Sequence, residues 1–222
     1  RFMENTSDNL FLGTVFPGQG SQRQGMGLDF NLFDKAQDVF ESAQNTLPFD
    51  LMAIIENDDP RLHETQYTQP CILTVEIAMF NALKNHCDFA PSYFAGHSLG
   101  EYTALVAAGV LPFEDAVSIV HQRGKLMQNV TPLGFGAMAA VIMEDLPLDK
   151  IEEIALNQEI DIANDNSKDQ IVLSGEKTKL DKVCESLKEF FANIRIVPLT
   201  VSAPFHSRHM TKIEDQFHKV IE

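Results

Sequence analysis

The pentapeptide Gly96-His97-Ser98-Leu99-Gly100 limits the folds open to this chain more than any other segment. The apolar run Tyr93-Phe94-Ala95 precedes it, and the helix-forming run Glu101-Tyr102-Thr103-Ala104-Leu105-Val106 follows. An apolar strand, a sharp Gly-x-Ser-x-Gly turn and a helix form the pattern of a nucleophile elbow. Flanking glycines let the backbone turn tightly enough to lift the Ser98 hydroxyl clear of the sheet. The serine then sits at a helix N-terminus, where free N–H groups stabilise negative charge. A serine that attacks an acyl group and must tolerate the resulting oxyanion needs this environment. The competing reading is an ordinary turn with a capping serine.

Bulk properties narrow the function classes. A chain of 222 residues suits one large domain, or one domain with a smaller insert, and is ample to bury a core. The net charge of −15 argues against nucleic acid as a partner, because nonspecific binding needs a positive footprint. An anionic substrate stays compatible, since local charge can oppose the global sign. No apolar stretch reaches the length of a membrane span, so no membrane partner is expected. The polar opening, Arg1 to Leu10, does not read as a signal peptide. Cys71, Cys87 and Cys184 are scattered and outside any CxxC spacing, which argues against a zinc site or a disulfide framework. A reducing compartment fits this cysteine pattern; the bacterial cytoplasm and an organelle interior both suit it, and with no transit segment visible the bacterial cytoplasm is the expected location.

Periodicity divides the chain in two. Leu10–Phe16 reads as a first buried strand, ended by Pro17-Gly18. Residues 31–44 carry apolar residues at helical spacing, and Thr68 with Pro70 reads as the opening of a second helix. Pro112 opens another through about Gln128. Beyond it, strands at Ala137–Met143, Ile160–Ala163, Gln170–Ser174 and Ile194–Leu199 alternate with helices at Pro147–Leu156 and Lys177–Phe191. The order β-α-β-β-α-β is the ferredoxin-like pattern. The expected domains are therefore a large α/β domain of residues 1–129 and 198–222 and an inserted ferredoxin-like domain of residues 130–197.

Several further residues are candidates for chemistry, each with a plainer alternative. Gly18-Gln19-Gly20-Ser21-Gln22 lacks the lysine of a phosphate-binding loop. It is either a tight turn or the source of a second oxyanion donor, the Gln19 N–H facing that of Leu99. His206, in Pro204-Phe205-His206-Ser207, is either a solvated loop histidine or the base for Ser98. His97 is the rival base, but its neighbouring position in a sharp turn suits support. Arg123 is either a surface helix arginine or a fork for a substrate carboxylate. Asn166, in Asn164-Asp165-Asn166-Ser167, is either a turn residue or a contributor to the nucleophile region.

Five segments, in this order along the chain, resemble the malonyl-CoA:acyl carrier protein transacylase family of fatty acid synthesis. They are Phe16–Gln22, Gly96–Glu101, Gln122–Gly124, Ala163–Ser167 and Ser202–Ser207. The resemblance implies an α/β-hydrolase-like large domain carrying a ferredoxin-like small one. It also implies that a C-terminal part completing the large domain is missing after Glu222. Residue by residue, it makes Ser98 the nucleophile and His206 its base. Gln19 and Leu99 become the oxyanion donors, and Arg123 the ligand of the malonyl carboxylate. Asn166 supports the cleft wall, His97 assists, and Phe205 narrows the space beside the malonyl methylene. The implied reactants are malonyl-CoA and an acyl carrier protein, with no cofactor and a monomeric enzyme. Carrier proteins of this pathway are acidic, so Arg123, Lys125, Lys168, Arg195, Arg208, His209 and Lys212 are candidates for a local docking patch. A serine esterase or thioesterase shares the elbow, though its usual order is Ser, Asp or Glu, then His. A non-catalytic carrier-binding module is the third reading.

Overall fold

The computed structural model describes residues 11–201 and 203–222. The polar opening, Leu10 of the expected first strand and Ser202 lie outside the described residues. The chain is mixed α/β and falls into two compact units, Arg1–Gly124 and Lys125–Glu222.

In the first unit, β1 (Gly13–Phe16) leads to a 3-10 turn at Leu28–Leu32, then α1 (Asp34–Thr46) and α2 (Leu51–Glu56). A second 3-10 turn at Pro60–His63 precedes the long α3 (Thr65–His86). The chain then forms β2 (Tyr93–Gly96), α4 (Gly100–Ala107) and α5 (Phe113–Gln128), whose last residues, from Lys125, count with the second unit. Strands β1 and β2 pair in parallel, Gly13 opposite Tyr93 and Phe16 opposite Gly96, so the intervening helices are the crossover that parallel strands require. Helix α3 is apolar on most of its circumference and runs through the core. Val39 and Phe40 of α1, Ile54 and Ile55 of α2, and Val117 and Val120 of α5 are buried in the same cluster.

Helix α2 was not legible as a separate element. It has six residues, and Asp50 caps it by accepting from the Ala53 N–H at 2.9 Å. Helix α3 begins at Thr65, earlier than the expected opening at Thr68. Thr68 does not cap it; its hydroxyl donates to the Leu62 and Glu64 carbonyls at 2.7 and 3.0 Å. Pro70 therefore falls in the second turn, where it cannot give the Gln66 carbonyl its usual helical N–H. His121 of α5 supplies a donor. Protonated at Nδ1, its ring bonds the Gln66 oxygen at 2.9 Å. Gly124 lets the two helices meet there, because a Cβ on it would lie 2.5 Å from the Thr65 carbonyl oxygen.

The second unit contains β3 (Gly136–Ile142), α6 (Leu148–Leu156), β4 (Asp161–Ser167), β5 (Gln170–Glu176), α7 (Lys177–Phe190) and β6 (Arg195–Pro198). The strands form one antiparallel sheet in the order β4-β5-β3-β6. Side-chain alternation gives β3 and β5 two buried faces. Ala139, Val141, Ile171 and Leu173 pack with Ile151 of α6 and Leu180, Val183 and Leu187 of α7. Met138, Ala140 and Val172 point the other way, into a cluster with Met127, Ala203 and Phe205. After β6, a 3-10 turn at Arg208–Ile213 leads to α8 (Glu214–Ile221). Strand β4 extends to Ser167 with two register irregularities, so Asn164–Ser167 is strand and the reversal falls at Lys168-Asp169.

Candidate active site

The elbow is strained at its centre. Ser98 has φ 54, the left-handed region that a residue with a Cβ enters only when its surroundings hold it there. The flanking glycines serve close approach rather than the turn itself. A Cβ on Gly96 would lie 1.9 Å from the Gly100 carbonyl carbon, and one on Gly100 would lie 2.1 Å from the Phe16 carbonyl oxygen. Strand β1, the Ser98 turn and α4 are thus packed backbone to backbone. Leu99 is buried and begins the turn into α4, whose first N–H groups, of Gly100, Glu101 and Tyr102, donate three residues back to the His97, Ser98 and Leu99 carbonyls at 3.0, 3.3 and 3.0 Å.

The Gly18–Gln22 segment is a tight turn and also abuts the elbow. Ser21 donates to the Gly18 carbonyl through its N–H at 3.3 Å and its hydroxyl at 2.9 Å. A Cβ on Gly18 would lie 2.4 Å from the His97 carbonyl oxygen, so the main chain entering Gln19 runs against that leaving His97. The Gln19 amide donates to the Thr65 hydroxyl at 3.1 Å, which ties this loop to the start of α3. His97 is exposed, and its N–H donates to the Phe16 carbonyl at 3.0 Å.

Arg123 lies beside Ser98. Its Nη2 donates to the Ser98 Oγ at 3.2 Å and its Nη1 to the Gln69 Oε1 at 2.8 Å. The guanidinium carbon sits 5.4 Å from the centre of the Tyr102 ring. Burial pulls the guanidinium below its ordinary pKa, opposed by Tyr102 and Glu101, and an arginine still remains a cation at neutral pH. The same burial raises the Tyr102 phenol, with Arg123 opposing it.

Sequence reasoning missed Gln69 and Tyr102. Gln69 is 1% exposed within an apolar helix, and a glutamine buried so completely needs a partner. Tyr102 stands four residues after Ser98, one turn along α4. It also missed Glu76, on α3, whose Oε2 accepts from the Thr103 hydroxyl of α4 at 2.5 Å. Burial pushes this carboxyl up to about 7, against the lowering effect of Thr103, and its buried Oε1 has no hydrogen-bond partner among the described residues.

Ser98, Leu99, Gln19, His97 and Arg123 are thus gathered in the first unit. The other candidates belong to the second. Asn166 is exposed on β4, its amide donating to the Gln170 Oε1 at 3.1 Å. Phe205 is buried in the cluster with Met138 and Val172. His206 is exposed and has φ 55. Two of the basic residues expected to meet a carrier are paired with acids, Lys168 with Asp145 at 3.0 Å and Arg208 with Asp161 at 2.7 Å. Among the described residues no helix is long and apolar enough to cross a membrane. No group of three or more His, Cys, Asp or Glu side chains among them could hold a metal ion.

Comparison with known proteins addresses the whole chain. The acyl transferase domain model matches residues 14–221. A malonyl CoA-acyl carrier protein transacylase from Staphylococcus aureus is 47% identical over 214 residues, spanning 93% of this chain and 68% of that protein. The solved malonyl CoA-acyl carrier protein transacylase of Coxiella burnetii superposes with a TM-score of 0.89 at 38% identity, covering 95% of this chain and 68% of that one. A malonyl-transacylase solved in complex with its type II PKS acyl-carrier protein gives 0.88 at 38% identity, covering 96% and 70%. The strained serine at the head of α4, the cation held against it and a family match over nearly the full length agree: this chain is a member of the acyl transferase domain family.

Proposed function

We propose that this chain transfers the malonyl group of malonyl-CoA to the phosphopantetheine thiol of an acyl carrier protein, through a malonyl ester of Ser98. The observation that carries the reading is the Arg123 guanidinium bonded to the Ser98 hydroxyl. A neutral-ester hydrolase has no use for a partly buried cation at its nucleophile. A transferase whose acyl group ends in a carboxylate does, because a guanidinium fork recognises that carboxylate in a fixed geometry. Gln69 and Tyr102 hold the fork, so its orientation is set before substrate arrives. The relatives named as malonyl transacylases, one of them solved with its acyl-carrier protein, support the same reactants.

The chemistry is ping-pong covalent catalysis. His206 takes the Ser98 proton as the oxygen attacks the thioester carbonyl. The oxyanion is received by the N–H groups of Gln19 and Leu99. Its collapse expels the coenzyme A sulfur, which takes the proton from His206. The carrier thiol then gives its proton to His206 and attacks the ester, and Ser98 leaves with that proton. The thioester is already activated, so the reaction calls for no cofactor. His97 supports the turn, Asn166 the cleft wall, and Phe205 limits the room beside the malonyl methylene.

The finer fold reading belongs with this function. The first unit is read as α/β-hydrolase-like, on its parallel strand pair and elbow. The four-stranded sheet with α6 and α7 is read as ferredoxin-like and is complete on topology at Pro198. The sheet topology suits an insert that ends near residue 197; the compact units divide instead at Gly124–Lys125, with residues 198–222 in the second, so the reading of 198–222 as a return to the domain of residues 1–129 rests on the family resemblance alone. The unpaired Cys71, Cys87 and Cys184 suit the cytoplasm, where a monomer would act.

The test is intact mass after brief exposure to malonyl-CoA or acetyl-CoA. The parent should gain one malonyl group and Ser98→Ala none. Arg123→Ala should lose malonyl loading while keeping or gaining acetyl loading. Malonyl loading that survives Arg123→Ala would refute the carboxylate role.

A further inference from the structure

The loop that carries His206 is pinned on both sides. Before it, Ala203 and Phe205 are buried, and Pro204 fits so closely over Gly136 that a Cβ there would lie 2.1 Å from the proline Cδ. After it, Ser207 is buried, donating from Oγ to the Pro204 carbonyl at 2.6 Å and accepting from the His209 N–H at 3.4 Å. One residue further, a single carboxylate collects three donors. The Arg208 N–H donates to the Asp161 Oδ2 at 2.7 Å. The Arg208 Nε and Nη2 donate to Oδ1 at 3.0 and 2.7 Å. Asp161 is the first residue of β4, where it lies opposite Ser174 of β5. The sheet edge therefore holds both the main chain and the side chain of the residue two places after His206.

We infer that Asp161 and Arg208 form a positioning clamp that fixes the direction of the His206 imidazole. The inference rests on the proposed role of His206 as base. His206 stands exposed between the buried Phe205 and Ser207, in a left-handed conformation that needs enforcement. A bidentate guanidinium–carboxylate pair resists rotation in a way a lysine ammonium cannot. Arg208 is correspondingly assigned here to the catalytic loop rather than to the carrier-docking patch, since its fork is already occupied.

The experiment measures single-turnover acylation of Ser98 by malonyl-CoA across pH, with melting temperature as control, on the parent, Asp161→Asn, Arg208→Lys and His206→Ala. Asp161→Asn keeps the size and retains the Arg208 charge. Its plateau rate should fall roughly tenfold to a hundredfold, the scale expected for a catalytic group displaced by about 1 Å. The KM for malonyl-CoA and the melting temperature should stay near parental values. Arg208→Lys, with charge but no fork, should fall between the two. Transfer to carrier should fall in step with acylation. Acylation by Asp161→Asn at the parental rate, with His206→Ala inactive, overturns the clamp and leaves the base assignment standing. Active His206→Ala overturns the base assignment and the clamp with it. A rate loss that merely follows a lowered melting temperature, or a defect confined to the carrier half-reaction, also overturns the clamp.

Discussion

Replacing Glu76 with glutamine should stabilise this protein above neutral pH and do little below pH 5. Burial raises the folded-state carboxyl from 4.5 to about 7. The folded chain thus holds this proton more tightly than the unfolded chain does. The contribution of the neutral carboxyl is fully present below the unfolded value and is lost as pH rises through the folded one. A gap of roughly 2.5 pH units corresponds to about 3 kcal/mol as an upper bound, and partial exposure lowers the expectation to about 2 kcal/mol. Glutamine carries no charge and keeps an oxygen to accept from Thr103. For a chain of this size, about 2 kcal/mol corresponds to a melting shift of roughly 4–8 °C. The assay is urea unfolding of parent and Glu76→Gln at half-unit steps from pH 5 to 8. The difference between them should open across that window and level off above it. Parallel profiles, or a variant less stable at pH 8, would show that the carboxyl is not held neutral in the fold.

Other expectations follow from single contacts. Gly124→Ala sets a Cβ against the Thr65 carbonyl and should cost about 1–3 kcal/mol, with malonyl loading reduced because Arg123 precedes it; an unchanged melting curve would contradict this. His121→Phe removes the donor to the Gln66 carbonyl and should cost about 1 kcal/mol in urea unfolding. Arg123→Lys keeps the charge but loses the fork, so kcat/KM for malonyl-CoA should fall on the order of tenfold to a hundredfold, while that for acetyl-CoA holds. In a native thiol titration, Cys87 should react first because it is exposed, and Cys71, buried and pushed up to about 12, should react only on unfolding.

The legible part of this chain was its local patterning. The β-α-β-β-α-β order could be read because each segment shows its own period and is bounded by turn residues. The elbow could be read because strand, glycines and helix are contiguous. What stayed hidden depends on partners distant in sequence. Gln69 takes its meaning from Arg123, Glu76 from Thr103, and Arg208 from Asp161. Pro70 misled about the start of α3, because the residue that offsets its missing N–H lies on another helix. Asn164–Ser167 has turn composition, yet pairing with β5 draws it into a strand. The positive φ of Ser98 is the strain that the elbow pattern carries, whereas that of His206 could not be read, since no motif around it demands that conformation.

The parallel pairing of β1 with β2 has a consequence for how activity is acquired. The Gln19 turn follows one strand and Ser98 the other, and the whole crossover through α1, α2 and α3 separates them. Pairing so distant in sequence is slow, because the chain must close a long loop before the contact rewards it. During refolding, helix content should therefore recover before the serine becomes competent to accept an acyl group. The lag between circular dichroism and the appearance of the acyl adduct would time the closure of this strand pair.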